Sequence, residues 1–539
     1  MNSLLLRQVA WNQLGEEVLD LFVIGGGING AAVARDAVLR GLSVAVVEMN
    51  DFASGTSSRS SKLIHGGVRY LEQGDVGLVL EACRERDLLR TRLAPYLVRA
   101  QPFVFPIYED DDLQLWKLRA GLFLYDLLAT FRNVRNHSML SAERVRELEP
   151  AVLADGLVGG ALYYDCWTDD ARMTLETILA ARAGGAIALN YCEVTALGKD
   201  SSGRLASVDV RDRFTGETRT VRARCFVNVA GPWLDSVRQL DDPGAPPRLR
   251  ATKGVHAVFD RARIGNRNAV VIRGVGDDRV MFAIPWQSQT LVGTTDTYYD
   301  GDPAEVAAYE DDIDYILAAA NRAFPHANLT AGDVVSTYAG LRPLVAPEDE
   351  LDESDVSRDD PIFESPSGLI SLGGGKLTTH RYVAEKIVDR AARSIGHPVA
   401  RSQTARVPLP AAVGIAPGKV REAEPLSTQE HIRNRYGAFG PEVASLVRGD
   451  PGLAERLAGD RPEIKAEVLW AVDHEMAMTV EDVLARRLQV GLRSRGRGCD
   501  VAAETARLMA EHFDWDEERR GQEAEKYCSA VAPMSRVEN

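Results

Sequence analysis

The sequence predicts an α/β protein: a doubly wound parallel sheet, an antiparallel β-sheet domain inserted into it, and an all-α C-terminal domain. Three observations carry that prediction. Strand, glycine turn, helix, strand and acid follow in order between Asp20 and Glu48. Short β-type runs crowd residues 250–300 with no helix between them, and beyond residue 463 apolar residues recur at helical spacing.

Bulk properties narrow the class further. At 539 residues, with 45% hydrophobic and 26% charged side chains, the chain can bury several cores, which excludes a collagen, a disordered tail or a disulfide mini-protein. Lys and Arg total 63 against 78 Asp and Glu, so a net charge of -15 repels a phosphate backbone and nucleic acid is not expected as a partner. Six cysteines lie far apart without a C-x-x-C, so we expect no disulfide framework, no zinc or other metal site, and reduced thiols in the cytoplasm. No run approaches the roughly 20 apolar residues of a spanning helix, and Leu4-Leu5-Leu6 is too short for a signal-peptide core.

Taken in order, residues 1–19 precede the first strand as a segment of unassigned role. Leu21-Phe22-Val23-Ile24 leads into GGGING, where Gly25, Gly27 and Gly30 satisfy G-x-G-x-x-G; glycines there admit a pyrophosphate to the backbone at a helix N-terminus. Glu48 closes the second strand, 18 residues after Gly30, placed to accept both ribose hydroxyls. Ser60, Ser61 and Lys62 follow in a hydroxyl-rich loop that suits further phosphate and ribose oxygens. A second glycine turn at Ala230-Gly231 and a third at Gly374-Gly375, continued by Leu377 and Thr378, complete the cofactor-binding set. A helix starting near residue 376 would aim its dipole at a reduced flavin. Three such turns across some 350 residues suit an elongated FAD better than NAD.

Residues 18–395 are thus expected to form the FAD-binding, Rossmann-like domain, with a substrate-covering insertion at about 240–335. Five prolines between His397 and Pro425 mark a linker at 396–424, and 425–539 is the helical domain. In that domain Met476 and Met478 read as core or near-core positions, and His474-Glu475 opens no H-E-x-x-H because residue 478 is Met. Asp165, Asp169, Asp170 and Arg172 read as a buried ion-pair and capping network.

The segments SSKLIHGGVRYLE, YYDCWTDDAR, NVAGPW, GTTD, GLRPL and GGKLTTHR, together with the first glycine motif, run in family order from about Asp20 to Asp389. In them the chain resembles the FAD-dependent, quinone-linked glycerol-3-phosphate dehydrogenases of bacteria and mitochondria. VLWAVDHEMAMTVEDVLARR is similar to that family's helical domain. The resemblance implies oxidation of sn-glycerol 3-phosphate to dihydroxyacetone phosphate, hydride passing to FAD and electrons to a membrane quinone. It implies catalytic roles for His65, as proton acceptor, and Arg342, as stabiliser of the developing oxyanion, and phosphate contacts from Arg69, Tyr70 and Lys376. An oxygen-using oxidase producing hydrogen peroxide and a flavin-containing RNA-binding protein are the alternatives. The implied location is cytoplasmic and peripheral on the inner face of the cell membrane, with a homodimer as a further expectation. Leu113 to Phe131 reads either as an interfacial helix or as an amphipathic core helix.

Overall fold

The computed structural model describes residues 3–67, 75–129, 133–277, 279–345, 361–418, 427–459 and 461–531. Strand Leu19–Ile24 lies inside an eight-stranded sheet, parallel to Val44–Val47 on one side and to Thr218–Asn228 on the other. Ile187–Leu189 and Leu369–Leu372 extend the parallel run outward. A parallel strand covered on both faces has no solvent side, which is why Leu21 to Ile24 is an unbroken apolar run. Leu21 and Val23 point into a core with helices Ile28–Leu39, Asp170–Ala183 and His380–Ser394. Phe22 and Ile24 point the other way.

That second face is not closed mainly by helices. Strands Cys192–Lys199 and Leu205–Asp212, antiparallel to each other and joined to the first half of Thr218–Asn228, cover it together with the N-terminal helix Ser3–Gln13. Trp11 of this helix is buried there, so the segment that had no assigned role in the sequence is part of a core.

The expected β-runs form strands Leu249–Asp260, Ala269–Arg273, Val280–Trp286 and Gln289–Gly293. Gln287 takes a positive φ of 57° to close the last hairpin between Trp286 and Gln289. The sheet reaches beyond residues 240–335: Ala269–Arg273 pairs with Arg99–Tyr108, which pairs with Leu157–Trp167, and Val334–Val345 runs antiparallel to Leu249–Asp260. It has ten strands drawn from both sides of the parallel domain's chain.

The C-terminal helices Thr428–Tyr436, Gly440–Gly449, Lys465–His474, Cys499–Phe513 and Glu517–Val531 enclose their own core around Tyr436, Val483, Leu484 and Met509. Three expectations need correction. Met476 belongs to the core of the parallel-sheet domain, because the chain leaves its helix at His474 and turns back onto that domain, where Asn190 donates to the Met476 carbonyl. The described part of the proline-rich segment is no free spacer: Leu409, Ala411 and Ala412 are buried against Leu93 and Tyr96, and Arg35 donates to the Val407 carbonyl. Cys499 and Cys528 are joined as a disulfide, since two consecutive antiparallel helices bring these positions 29 residues apart to a Cα–Cα distance of 5.4 Å.

Candidate active site

The first glycine turn follows directly from the chain's need to reverse. Gly25 adopts φ of +112°, and a Cβ on Gly30 would stand 1.9 Å from the Gly25 carbonyl oxygen, so only glycine lets the helix start against the loop. Glu48 is placed beside this turn by the strand before it. Its Oε2 accepts from the Gly26 amide at 2.8 Å and its Oε1 from the Asn50 amide at 3.0 Å. Burial raises the carboxyl's pKa against the pull of those two hydrogen bonds. Gly25, Gly27, Glu48, Ala230 and Gly231 line a cavity of about 140 Å³ here; Gly30 lies behind it.

A second cavity of about 340 Å³ continues from the first, and Thr56, Ser60, Pro343, Gly374, Gly375 and Leu377 line both. Together they form a continuous channel suited to a long, polar molecule. Two further observations fit such a guest. Asn29 Oδ1 is buried without a hydrogen-bond partner among the described residues, and a Cβ on Gly375 would stand 2.2 Å from Asn29 Nδ2, so the backbone passes close to this amide. The third glycine turn differs from expectation in one respect: its helix begins at His380, not near residue 376, because residues 377–379 form a separate turn. The dipole end therefore sits four residues later in the chain.

The larger cavity carries the charge. His65, Ser61, Arg342, Lys376 and Thr378 line it as a group. Arg342 donates to Asp296 Oδ1 at 2.8 Å, and Arg279 donates to Asp296 Oδ2 at 2.7 Å, so one carboxylate aligns two guanidinium groups on the cavity wall. Burial alone would raise the Asp296 pKa; Arg342 and the hydrogen bonds from Thr252 and Arg279 hold it below the usual range. His65 is half-buried; burial, and then the positive charges of Arg86 and Lys376, lower its pKa against the opposing influence of Asp165. A neutral imidazole, able to accept a proton, is the form this setting favours.

Sequence reasoning missed Arg59, His256, Arg279 and Asp296, which also line this cavity. His256 stacks on Tyr338 with centroids 4.8 Å apart and shares a 2.9 Å hydrogen bond with Ser61 Oγ. Burial, then the charges of Arg342 and Lys62, pull its pKa down to about 3. Its one available signal was a histidine inside the otherwise apolar strand GVHAVF.

Lys62 lines neither cavity. Its ammonium is fully buried, 2.6 Å from Asp170 Oδ1 and 5.1 Å from the centre of the Trp286 ring, and Asp170 Oδ2 accepts from the Ser60 amide and hydroxyl. Lys62 thus anchors the Ser60 loop from behind. Asp169 caps its helix by accepting from the Arg172 amide, Asp165 pairs with Arg86, and Arg172 pairs with Glu176 and Glu475. Arg69 and Tyr70 lie outside the described residues.

The family model for FAD-dependent oxidoreductases matches residues 20–390, and that for the C-terminal domain of alpha-glycerophosphate oxidase matches residues 402–520. "Glycerol-3-phosphate dehydrogenase 2" of Mycobacterium tuberculosis is 39% identical over 536 residues, covering 97% of this chain and 90% of the relative. This chain belongs to the FAD-dependent glycerol-3-phosphate dehydrogenase family. A second relative, "Glycerol-3-phosphate dehydrogenase" of Synechocystis, is 37% identical over 94% of this chain and 95% of its own length. The crystal structure of the glycerol-3-phosphate dehydrogenase from Bacillus halodurans complexed with FAD superposes with a TM-score of 0.81 at 33% identity, over 99% of this chain and 98% of that one. Like its family, this glycerol-3-phosphate dehydrogenase relative is FAD-dependent, and the channel bounded by the first and third glycine turns and Glu48 has the polar lining and length that such a cofactor needs.

Proposed function

We propose that this chain oxidises sn-glycerol 3-phosphate to dihydroxyacetone phosphate and passes the two electrons to a quinone in the membrane. FAD supplies the hydride acceptor. The reading rests on one observation above the others: Arg59, Arg279, Arg342 and Lys376 converge with His65 on a single cavity next to the Gly374-Gly375 turn. A small phosphoester needs clustered cations, and guanidinium forks match phosphate oxygens. His65 takes the hydroxyl proton as the carbon loses hydride; Arg342, which stays charged, stabilises the negative charge growing on that oxygen. Arg69, Tyr70 and Lys376 hold the phosphate, joined by Arg279. Gly25, Gly27, Gly30, Glu48, Ser60, Ser61, Ala230, Gly231, Gly374, Gly375, Leu377 and Thr378 shape the cofactor's bed, and Lys62 braces it.

Membrane contact is supported by the helix Leu115–Leu128. Leu118, Leu122 and Tyr125 are buried, while Trp116, Phe123 and Leu127, at 65%, 57% and 48% exposed, form a stripe on its outer side. Leu80, 47% exposed, extends this surface from helix Val76–Leu88, whose Ala82 lines the larger cavity. No described helix is long and apolar enough to cross a membrane. Anaerobic addition of glycerol 3-phosphate to the purified protein should bleach the visible flavin absorbance, and glycerol should not. A quinone analogue should then restore it; restoration by oxygen alone, with stoichiometric hydrogen peroxide, would favour the oxidase reading.

A further inference from the structure

A third cavity, of about 580 Å³, lies between the C-terminal helical domain and the β-sheet body, apart from the flavin channel. Four of its side chains are guanidinium groups; Arg493 is taken up by Glu463, Gln287 and the Leu488 carbonyl, which leaves Arg99, Arg433 and Arg435. Arg99 begins strand Arg99–Tyr108; Arg433 and Arg435 come from helix Thr428–Tyr436. Arg99 donates from Nε to the Tyr96 carbonyl, and Arg433 is exposed and makes no side-chain hydrogen bond among the described residues. Arg435 is only 9% exposed: Nη1 donates to Asp169 Oδ2 at 3.0 Å, while Nε and Nη2 have no hydrogen-bond partner among the described residues.

Among the described residues two carboxylates share the cleft, and both are engaged. Glu430 accepts from the Ser427 amide and hydroxyl as a helix cap, and Asp169 serves Arg435, Gln489 and the Arg172 amide. Burial, and then the nearby Arg433, pull the Arg99 guanidinium down to about 10, with Glu430 opposing them. The buried Nε and Nη2 donors of Arg435, with no partner among the described residues, leave room for an anion to accept from them. Guanidinium groups favour phosphate, and the volume, walled by Trp167 and Trp286, admits an organic group as well as the charge.

We propose that this cleft is a second anion site that binds a phosphate ester carrying at least two negative charges, held by Arg99, Arg433 and Arg435. The site is joined to the flavin channel by two consecutive residues: Asp169 takes Arg435, and Asp170 takes Ser60, which lines both flavin cavities.

Inorganic pyrophosphate is the probe, titrated calorimetrically into the FAD-loaded full-length protein. Wild-type protein should bind it with a dissociation constant below about 1 mM. Arg99→Gln/Arg433→Gln should weaken binding about tenfold or more while the KM for glycerol 3-phosphate stays unchanged, which separates this cleft from the substrate's own phosphate pocket. Unchanged binding in the double variant, or no heat from wild-type protein, overturns the proposal. Should the double variant lose its FAD, the exposed-site variant Arg433→Glu decides by the same criterion.

Discussion

Asp51 and Arg487, 436 residues apart, form a buried two-point ion pair in which Arg487 Nη2 donates to Asp51 Oδ1 at 2.9 Å and Nη1 contacts Oδ2. Arg486 adds a third contact, from Nε to Oδ2 at 2.6 Å. Asp51 follows Glu48 by three residues, so the helical domain grips the loop beside the proposed ribose-binding acid. Burial would raise the Asp51 pKa, but Arg487 and Arg486 hold it low, keeping the carboxylate charged. Removing one member of a buried pair leaves the other charge uncompensated, at about 3–5 kcal/mol. Arg487→Met should therefore lower stability by that order and weaken FAD binding about tenfold or more, with partial recovery in Arg487→Lys. Full retention of FAD through gel filtration and an unchanged denaturation midpoint would show that the grip is incidental.

His65 supplies the second prediction. His65→Gln should lower kcat by about 10²–10⁴ with little effect on the flavin spectrum. Because burial lowers its pKa, the acid limb of the wild-type kcat/KM profile should lie below about 6.5. A limb at higher pH, or one that survives the substitution, would move the proton acceptor elsewhere.

The Arg342 and Asp296 pair gives a third. Arg342→Met should reduce kcat by about 10²–10³, as expected for one lost oxyanion donor. Asp296→Asn leaves the donor but removes the carboxylate that aligns Arg342 and Arg279, so its loss should be smaller and should fall partly on KM. Equal losses in kcat alone for both variants would contradict this division.

Buried histidines should make stability depend on pH. Burial pulls His256 down to about 3 and His380 to about 4, with the Leu377 carbonyl opposing the latter shift. Both stay neutral in the folded chain, whereas the unfolded imidazoles take up protons near 6.5. The unfolded state then binds more protons, so stability present above about 6.5 is lost as pH falls toward the folded values, at about 1.4 kcal/mol per pH unit for each group. Chemical denaturation of His380→Asn at pH 7, 6 and 5 should show a slope shallower by that amount. An identical slope would assign the acid sensitivity to carboxylates.

The exposed stripe on helix Leu115–Leu128 yields the last prediction. Trp116→Asp and Phe123→Asp should each weaken liposome association about tenfold while turnover with a soluble dye acceptor stays the same. Undiminished flotation with the double variant would place any membrane contact on another surface.

The first glycine turn, Glu48 and the Ser60 loop were legible because they are consecutive in the chain and their spacing alone carries the geometry. The same holds for the short strands after residue 250, whose turn residues sit between apolar runs. Arg279 and His256 were not legible, since what brings them to the cavity is cross-strand pairing, as between His256 and both Gly293 and Tyr338. Lys62 misled for a related reason: a lysine in a hydroxyl-rich loop reads as a phosphate ligand until Asp170, 108 residues on, proves to be its partner. Met476 was assigned by periodicity to the wrong core because the helix stops before it.

Arg35 fastens the strand-free stretch near Val407 and Pro408 to the first helix of the cofactor domain, and the Leu409 amide donates to the Leu93 carbonyl at 2.9 Å. With Asp51 and Asp169 clasped from the far side as well, a protease nick between the two halves would sever the polypeptide without releasing either piece. The fragments would travel as one particle until denaturant parted them, so expressing the amino-terminal portion alone would expose a wide, charged scar.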